Sequence, residues 1–171
     1  MSGIAIGVVS DTHMPRFGKA LPAALRAGLA GVDVIVHCGD MVDAMAIPLF
    51  EQIAPLEAVA GNNDPAELHS RFGKRKILEF GALRIGVTHG HDGVGRSTLA
   101  RAQNTFKSER VNAVLFGHSH VPYNETHKNV LYFNPGSPTD RRRQPEYSYG
   151  IIRLVGNTLQ SELFFYPDKS P

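Results

Sequence analysis

Apolar and polar positions along this chain alternate between two rhythms. Ile4 to Val9 is a short apolar run rich in β-branched residues and closed by Ser10-Asp11, which reads as a buried strand. Leu21 to Leu29 then carries apolar residues at helical spacing, with Pro22 tolerated in the first turn and Gly31 just past the end. The pair of patterns returns as a strand over Val32 to Val36 and a helix from about Ala44 to Ile53, which Pro48 must start late or kink. Leu56 to Ala60 reads as a third strand, Lys76 to Phe80 and Leu83 to Thr88 as a hairpin about Gly81, and Ser97 to Phe106 as a helix. After a strand over Val111 to Phe116 the pattern holds strands only: Val121 to Thr126, Val130 to Phe133, Tyr149 to Val155 and Thr158 to Tyr166, the last two joined by the turn Gly156-Asn157. The first half is therefore of α/β type and the tail is β. From Pro167 onward the chain is expected to fray.

Residues suited to metal binding fall just past the ends of five of these strands: Asp11 with His13, Asp40, Asn62, His89, and His118 with His120. In open α/β sheets ligands bind beyond the carboxyl ends of the strands, so positions far apart in sequence can converge there. Carboxylate, imidazole and amide oxygen suit Mn, Fe or Zn, and a set without thiolate does not point to a structural zinc. Seven candidate groups exceed the needs of one tetrahedral ion, whereas two ions sharing a bridging carboxylate would use them all. Taken singly the pieces are weak. Asp11-Thr12-His13 and Gly61-Asn62-Asn63-Asp64 are also turn compositions, and Asp40 would equally serve as a helix cap. His118-Ser119-His120 says more, because it sets two imidazoles on one side of an extended segment.

Read in order, Asp-x-His, Gly-Asp, Gly-Asn-x-Asp, Thr-His-Gly-His and Gly-His-x-His resemble the signature of the calcineurin-like metallophosphoesterases, in their small, single-domain bacterial and archaeal branch. The likeness runs from Asp11 to about Ser137, since Asn134-Pro135-Gly136-Ser137 also resembles that branch. It implies an α/β architecture built as a two-sheet β-sandwich flanked by helices, in line with the ten strands read above. It implies too that Asp11, His13 and His120 hold one divalent ion, that Asn62, His89 and His118 hold another, and that Asp40 bridges them. Manganese is favoured, with Fe, Zn or Ni as alternatives. The expected chemistry is hydrolysis of a phosphate ester, a metal-bridging hydroxide attacking phosphorus in line without a covalent enzyme intermediate.

One position departs from the family pattern. Many members carry a histidine, thought to protonate the leaving group, where this chain has Asn63, and an amide cannot titrate. Loss of a general acid typically removes about 10²–10⁴ in rate, most for basic leaving groups. A diester or activated ester is therefore expected over a broad range of monoesters. Asn63 and Arg16 remain candidates for binding substrate, and His91 and Asp64 for a catalytic role, His91 as an alternative acid and Asp64 as a hydrogen-bond acceptor beside a ligand. His37 and Cys38 are expected to pack beneath the site, and His69 and His127 to lie at the surface.

Composition narrows the picture. With 171 residues, 42% hydrophobic and 20% charged, the chain has the make-up of one globular domain spanning 1–171 and not of a disordered segment. A net charge of +2 is too weak a field for a nucleic-acid polymer, and the basic run Arg141-Arg142-Arg143 reads as a solvated loop or an anion contact. The single Cys38 excludes an intrachain disulfide. No basic leader precedes the first apolar stretch, which is too short to span a bilayer, so a cytoplasmic location without membrane contact is expected. The expected partner is a small phosphate ester. Members of the family often form dimers or tetramers, so a homo-oligomer enters as an expectation from the resemblance alone.

Two rivals compete. A subunit of the endosomal retromer coat resembles the same fold and serves as a scaffold, which the loss at Asn63 would fit. His89-Gly90-His91-Asp92 superficially resembles a metallo-β-lactamase motif, but Asp92 follows His91 too closely, and an amidohydrolase barrel needs about 250 residues.

Overall fold

The structure is a computed structural model and describes residues 3–171. Among the described residues ten strands and four helices follow one another as β1 (Ile4–Val9), α1 (Ala23–Leu29), β2 (Val34–His37), α2 (Ala46–Glu51), β3 (Leu56–Ala58), α3 (Ala66–Phe72), β4 (Arg75–Phe80), β5 (Leu83–Thr88), α4 (Thr98–Thr105), β6 (Ala113–Leu115), β7 (Tyr123–His127), β8 (Val130–Asn134), β9 (Tyr147–Val155) and β10 (Thr158–Tyr166). They form two five-stranded sheets ordered β10-β9-β1-β2-β3 and β4-β5-β6-β8-β7. In the first, β1, β2 and β3 are parallel and β9-β10 is an antiparallel hairpin; in the second, β5, β6 and β8 are parallel between antiparallel edges.

Alternation along the strands assigns each apolar side chain to one of two faces. Ile6, Val8, Val36 and Ile152 of the first sheet pack against Ile85, Val87, Leu115 and Phe133 of the second, which makes the inner core of the sandwich. On the outer face of the first sheet Val9, Ile35, Tyr149 and Ile151 meet Leu25 and Leu29 of α1 and Phe50 of α2. On the outer face of the second, Val114 and Phe116 meet Ala102 of α4 and Phe106 just beyond it. The sandwich is thus covered by helices on both sides, as the strand pattern and the resemblance imply.

Two expectations fail. The short helix α3 was not foreseen, because buried Leu68 and half-buried Phe72 are its one pair of large apolar residues, too few to set a period. The end of the chain is anchored instead of frayed. Buried Tyr166 donates its hydroxyl to the Pro138 carbonyl at 2.6 Å, Lys169 Nζ donates to the carbonyls of Phe17 and Thr139, both at 2.9 Å, and the Ser170 carbonyl accepts from Ala23 N at 2.8 Å. No helix among the described residues is long and apolar enough to cross a membrane.

Candidate metal centre

The parallel strands β1, β2, β3, β5 and β6 point their carboxyl ends to one edge of the sandwich, and the loops that leave them are sewn together there. Asp11 N donates to Gly39 O at 2.9 Å and His13 N to Asp40 O at 3.0 Å, which joins the loops after β1 and β2. Gly117 N donates to His89 O at 3.0 Å, which joins those after β5 and β6. The loops of the two sheets are also joined to each other: His118 N donates to Asp11 Oδ2 at 2.9 Å. The loop after β8 closes the ring, with Ser137 Oγ donating to Asp11 O and Thr139 Oγ1 to Thr12 O.

Local backbone geometry marks the same residues. Asp11, His13, Asp40, His118 and His120 adopt positive φ of 57°, 45°, 61°, 69° and 61°. Non-glycine residues seldom do so, Asp, Asn and His least reluctantly, and such strain gathers at functional sites. Five of the seven expected ligands are in that state. Two glycines make the convergence possible: a Cβ at Gly61 would collide with Asp40 Oδ1, and one at Gly117 would meet Ser10 Oγ and the Asp11 carboxylate.

The resulting cluster is tight and buried. Asp11 Oδ1 lies 3.4 Å from His120 Nε2, 3.7 Å from His89 Nε2 and 3.8 Å from His13 Nε2. Asp40 Oδ2 lies 3.3 Å from His89 Nε2 and 3.5 Å from His13 Nε2. Two triples have the spacing of a metal site, Asp11 with His13 and His120, and Asp11 with Asp40 and His89. Asp11 is thus common to both, while Asp40 lies between His13 and His89, one from each ligand set that the resemblance implies. His118 is half-buried, its ring 5.2 Å from that of His89.

What these atoms lack is more telling than what they touch. Asp11 Oδ1 and the Nε2 atoms of His13, His89 and His120 are buried without a hydrogen-bond partner. A buried polar atom left unpaired costs about 1–3 kcal/mol, and native folds rarely tolerate it without a function. For Asp11, His89 and His120 the opposite side of the group is satisfied. His89 Nδ1 is 2.8 Å from the Cys38 carbonyl and His120 Nδ1 is 2.6 Å from the Asp140 carbonyl, so Nδ1–H donates and the Nε2 lone pairs face inward. Asp11 Oδ2 accepts from Ser10 Oγ at 2.7 Å. The donor set therefore fits divalent ions.

Charge reinforces this arrangement. Burial opposes ionisation of Asp11 and Asp40, yet the facing imidazoles hold both carboxyls below their usual range. Burial likewise opposes protonation of His89, but Asp11 and Asp40 outweigh it and push its pKa up to about 9. Burial and neighbouring His89 lower both His91 and His118.

The remaining candidates are distributed as follows. Asn62 is exposed on the loop after β3, unlike the buried members of the cluster. Asn63, expected to bind substrate, is exposed and binds Asp40, its backbone N–H donating to Oδ1 at 2.9 Å and its amide to Oδ2 at 2.8 Å. Asp64 accepts from the backbone N–H of Asp40, Val42 and Gly61 at 2.9, 2.7 and 2.7 Å, and so positions Asp40. His91 stands beside the cluster with its ring 5.3 Å from that of His89, its Nδ1 unpaired. Arg16 is exposed, its guanidinium 5.3 Å from the Phe17 ring centroid. Beneath the cluster His37 is buried and fully paired, with Thr12 Oγ1 at 3.0 Å and Gly39 N at 3.1 Å, and burial lowers its pKa to about 3. His69 is half-buried on α3 and His127 is exposed. The orienting carbonyls of Cys38 and Asp140 were missed, since a backbone acceptor leaves no mark in residue type.

Known proteins resemble this chain in sequence and in fold. Residues 4–157 match the model of the calcineurin-like phosphoesterase superfamily domain. A probable metallophosphoesterase of Methanocaldococcus jannaschii is 35% identical over 134 residues, 78% of this chain and 68% of its own length. A phosphodiesterase of the same organism is 32% identical over 145 residues, covering 77% and 82%. In fold, the Zn2+ complex of Vps29 from Entamoeba histolytica matches with a TM-score of 0.72 at 20% identity, over 95% of this chain and 99% of that one.

Proposed function

The chain belongs to the calcineurin-like phosphoesterase superfamily, and on that premise we propose that it is a phosphodiesterase with two divalent ions, manganese favoured, at the edge where β1, β2, β3, β5 and β6 end. The observation that carries this reading is the set of four buried, unpaired atoms of Asp11, His13, His89 and His120 facing one another. Asp11, His13 and His120 would hold one ion, Asn62, His89 and His118 the other, and Asp40 would span them. Bound there, the ions would supply a water of lowered pKa and stabilise charge developing on phosphate oxygens.

The chain's own residues do the rest. The Cys38 and Asp140 carbonyls keep the Nδ1 protons in place, so that two imidazoles present their other nitrogen without reorganising. Asp64 fixes the backbone of Asp40, and Asn63 steadies its carboxylate. Arg16, exposed in the loop after β1, would pair with an anionic substrate. Asn63 cannot protonate a leaving group, and its amide is already committed to Asp40, which favours esters whose alcohol leaves easily. His91 is the remaining imidazole beside the cluster and the candidate proton donor. Cys38 is buried and unpaired, as suits a reducing compartment, and action in the cytoplasm is part of the proposal. A scaffold role finds no favour in a cluster whose inward atoms are left free.

The test is hydrolysis of a chromogenic aryl phosphodiester by metal-stripped protein, with and without Mn2+. Metal-dependent turnover, faster on the aryl diester than on an alkyl monoester, is the expected outcome. A preference for the alkyl monoester would overturn the diester assignment, and a folded protein inactive with several divalent metals would overturn the enzyme.

A further inference from the structure

A cavity of about 390 Å³ opens beside the cluster, lined by Arg96, Thr98, Leu99, Arg101, Phe116, Ser119, Val121 and Tyr123 among others. Its walls are continuous with the candidate centre at two points. Ser119 is the residue between His118 and His120, and the Thr98 side chain fills the space over Gly90, between His89 and His91, where an added Cβ would lie 2.7 Å from it. The position is held firmly: Ser119 Oγ accepts from Asn134 Nδ2 at 3.1 Å, and Ser97 caps α4 by accepting from Ala100 N at 3.0 Å.

The lining combines two chemistries. Leu99, Phe116, Val121 and Tyr123 form an apolar wall, with the Phe116 and Tyr123 rings 6.2 Å apart, and Val121 keeps 46% of its surface exposed. Arg96 and Arg101 add positive charge, and Arg101 is near enough to influence His118. Small-molecule sites occupy about 300–1,000 Å³ and are mostly apolar with a few polar groups. An aliphatic and aromatic wall takes a flat ring by stacking, and guanidinium groups pair with phosphate or lie over a ring face.

From this we infer that the cavity lined by Leu99, Val121 and Tyr123 is a subsite for a flat aromatic group, a nucleobase or an aryl ring, carried on the phosphate ester that reaches the neighbouring cluster. The inference rests on reading that cluster as a phosphodiesterase centre, but its test does not need turnover. The protein, with and without Mn2+, is titrated by calorimetry with adenosine monophosphate and with ribose phosphate, which has the same charge and no aromatic ring. Stacking of a base predicts that adenosine monophosphate binds about tenfold tighter in both metal states. Val121→Asn, at a partly exposed position and without added charge, and Leu99→Ser should each remove that advantage, with ribose phosphate binding as before. Phenyl phosphate separates the sources: affinity equal to that of the nucleotide assigns the subsite to any aromatic ring, and weaker affinity assigns it to a nucleobase. Equal binding of the two phosphates by the unaltered protein, or an advantage untouched by both substitutions in folded protein, overturns the subsite. Diester hydrolysis with no ring preference would leave the enzyme standing and remove the subsite alone.

Discussion

Two layers at one edge of the sandwich use the same residue types to opposite ends. In the lower layer His37 has partners on both ring nitrogens, and Asp64 accepts three backbone N–H groups. In the upper layer Asp11, His13, His89 and His120 each keep one buried atom without a partner. Burial is nearly complete in both, so exposure does not tell them apart. Pairing does: a saturated polar group stabilises the chain, while a free one oriented by its neighbours is available to something the chain must bind.

The largest effect is expected where the upper layer is broken. Asp40→Ala should lower metal-dependent hydrolysis of an aryl phosphodiester by about 10²–10³-fold or more, measured as kcat/KM with Mn2+. Breaking the lower layer at Asp64 acts through it. Asp64→Ala frees three backbone donors and should weaken Mn2+ binding by about 10–100-fold in a calorimetric titration; an unchanged affinity would deny Asp64 its positioning role.

Protons sharpen the contrast next. His89 in the metal-free chain has its pKa raised from 6.5 to about 9, so its proton stabilises the fold fully below 6.5, and that contribution disappears as pH rises through 9. A metal must displace the same proton. Mn2+ affinity should therefore climb about tenfold per pH unit between those limits while the metal-free protein becomes less stable, and titrations at several pH values would show both. The smallest effect on the centre belongs to His37→Ala. It should destabilise the chain by about 2–3 kcal/mol in urea unfolding, through a cavity and lost hydrogen bonds, yet change Mn2+ affinity less than about threefold.

The upper layer was the more legible of the two. Asp11, His13, Asp40, His89, His118 and His120 sit where strands end, and a strand end can be read from a run of β-branched residues closed by glycine or a polar residue. The ten strands were readable for the same reason. Asp64 was read as a hydrogen-bond acceptor beside a ligand, but that its donor is the backbone of Asp40, and that Asn63 holds the same carboxylate, left no mark, because both contacts span more than twenty positions through bonds that many polar residues could form. Helix α3 offered only the pair Leu68 and Phe72, too short to set a period, and the end of the chain is anchored by Lys169 and Ser170 through backbone carbonyls.

The left-handed backbone at Asp11, His13, Asp40, His118 and His120 also limits how this protein can drift. At those positions conformation alone favours aspartate, asparagine, histidine or glycine, before any chemistry is selected. Exchanges within that small alphabet can change charge or delete a ligand while leaving the loops nearly undisturbed. A lineage could thus silence or retune such a centre in single steps and keep its fold, whereas a valine or leucine at the same places would meet the backbone first.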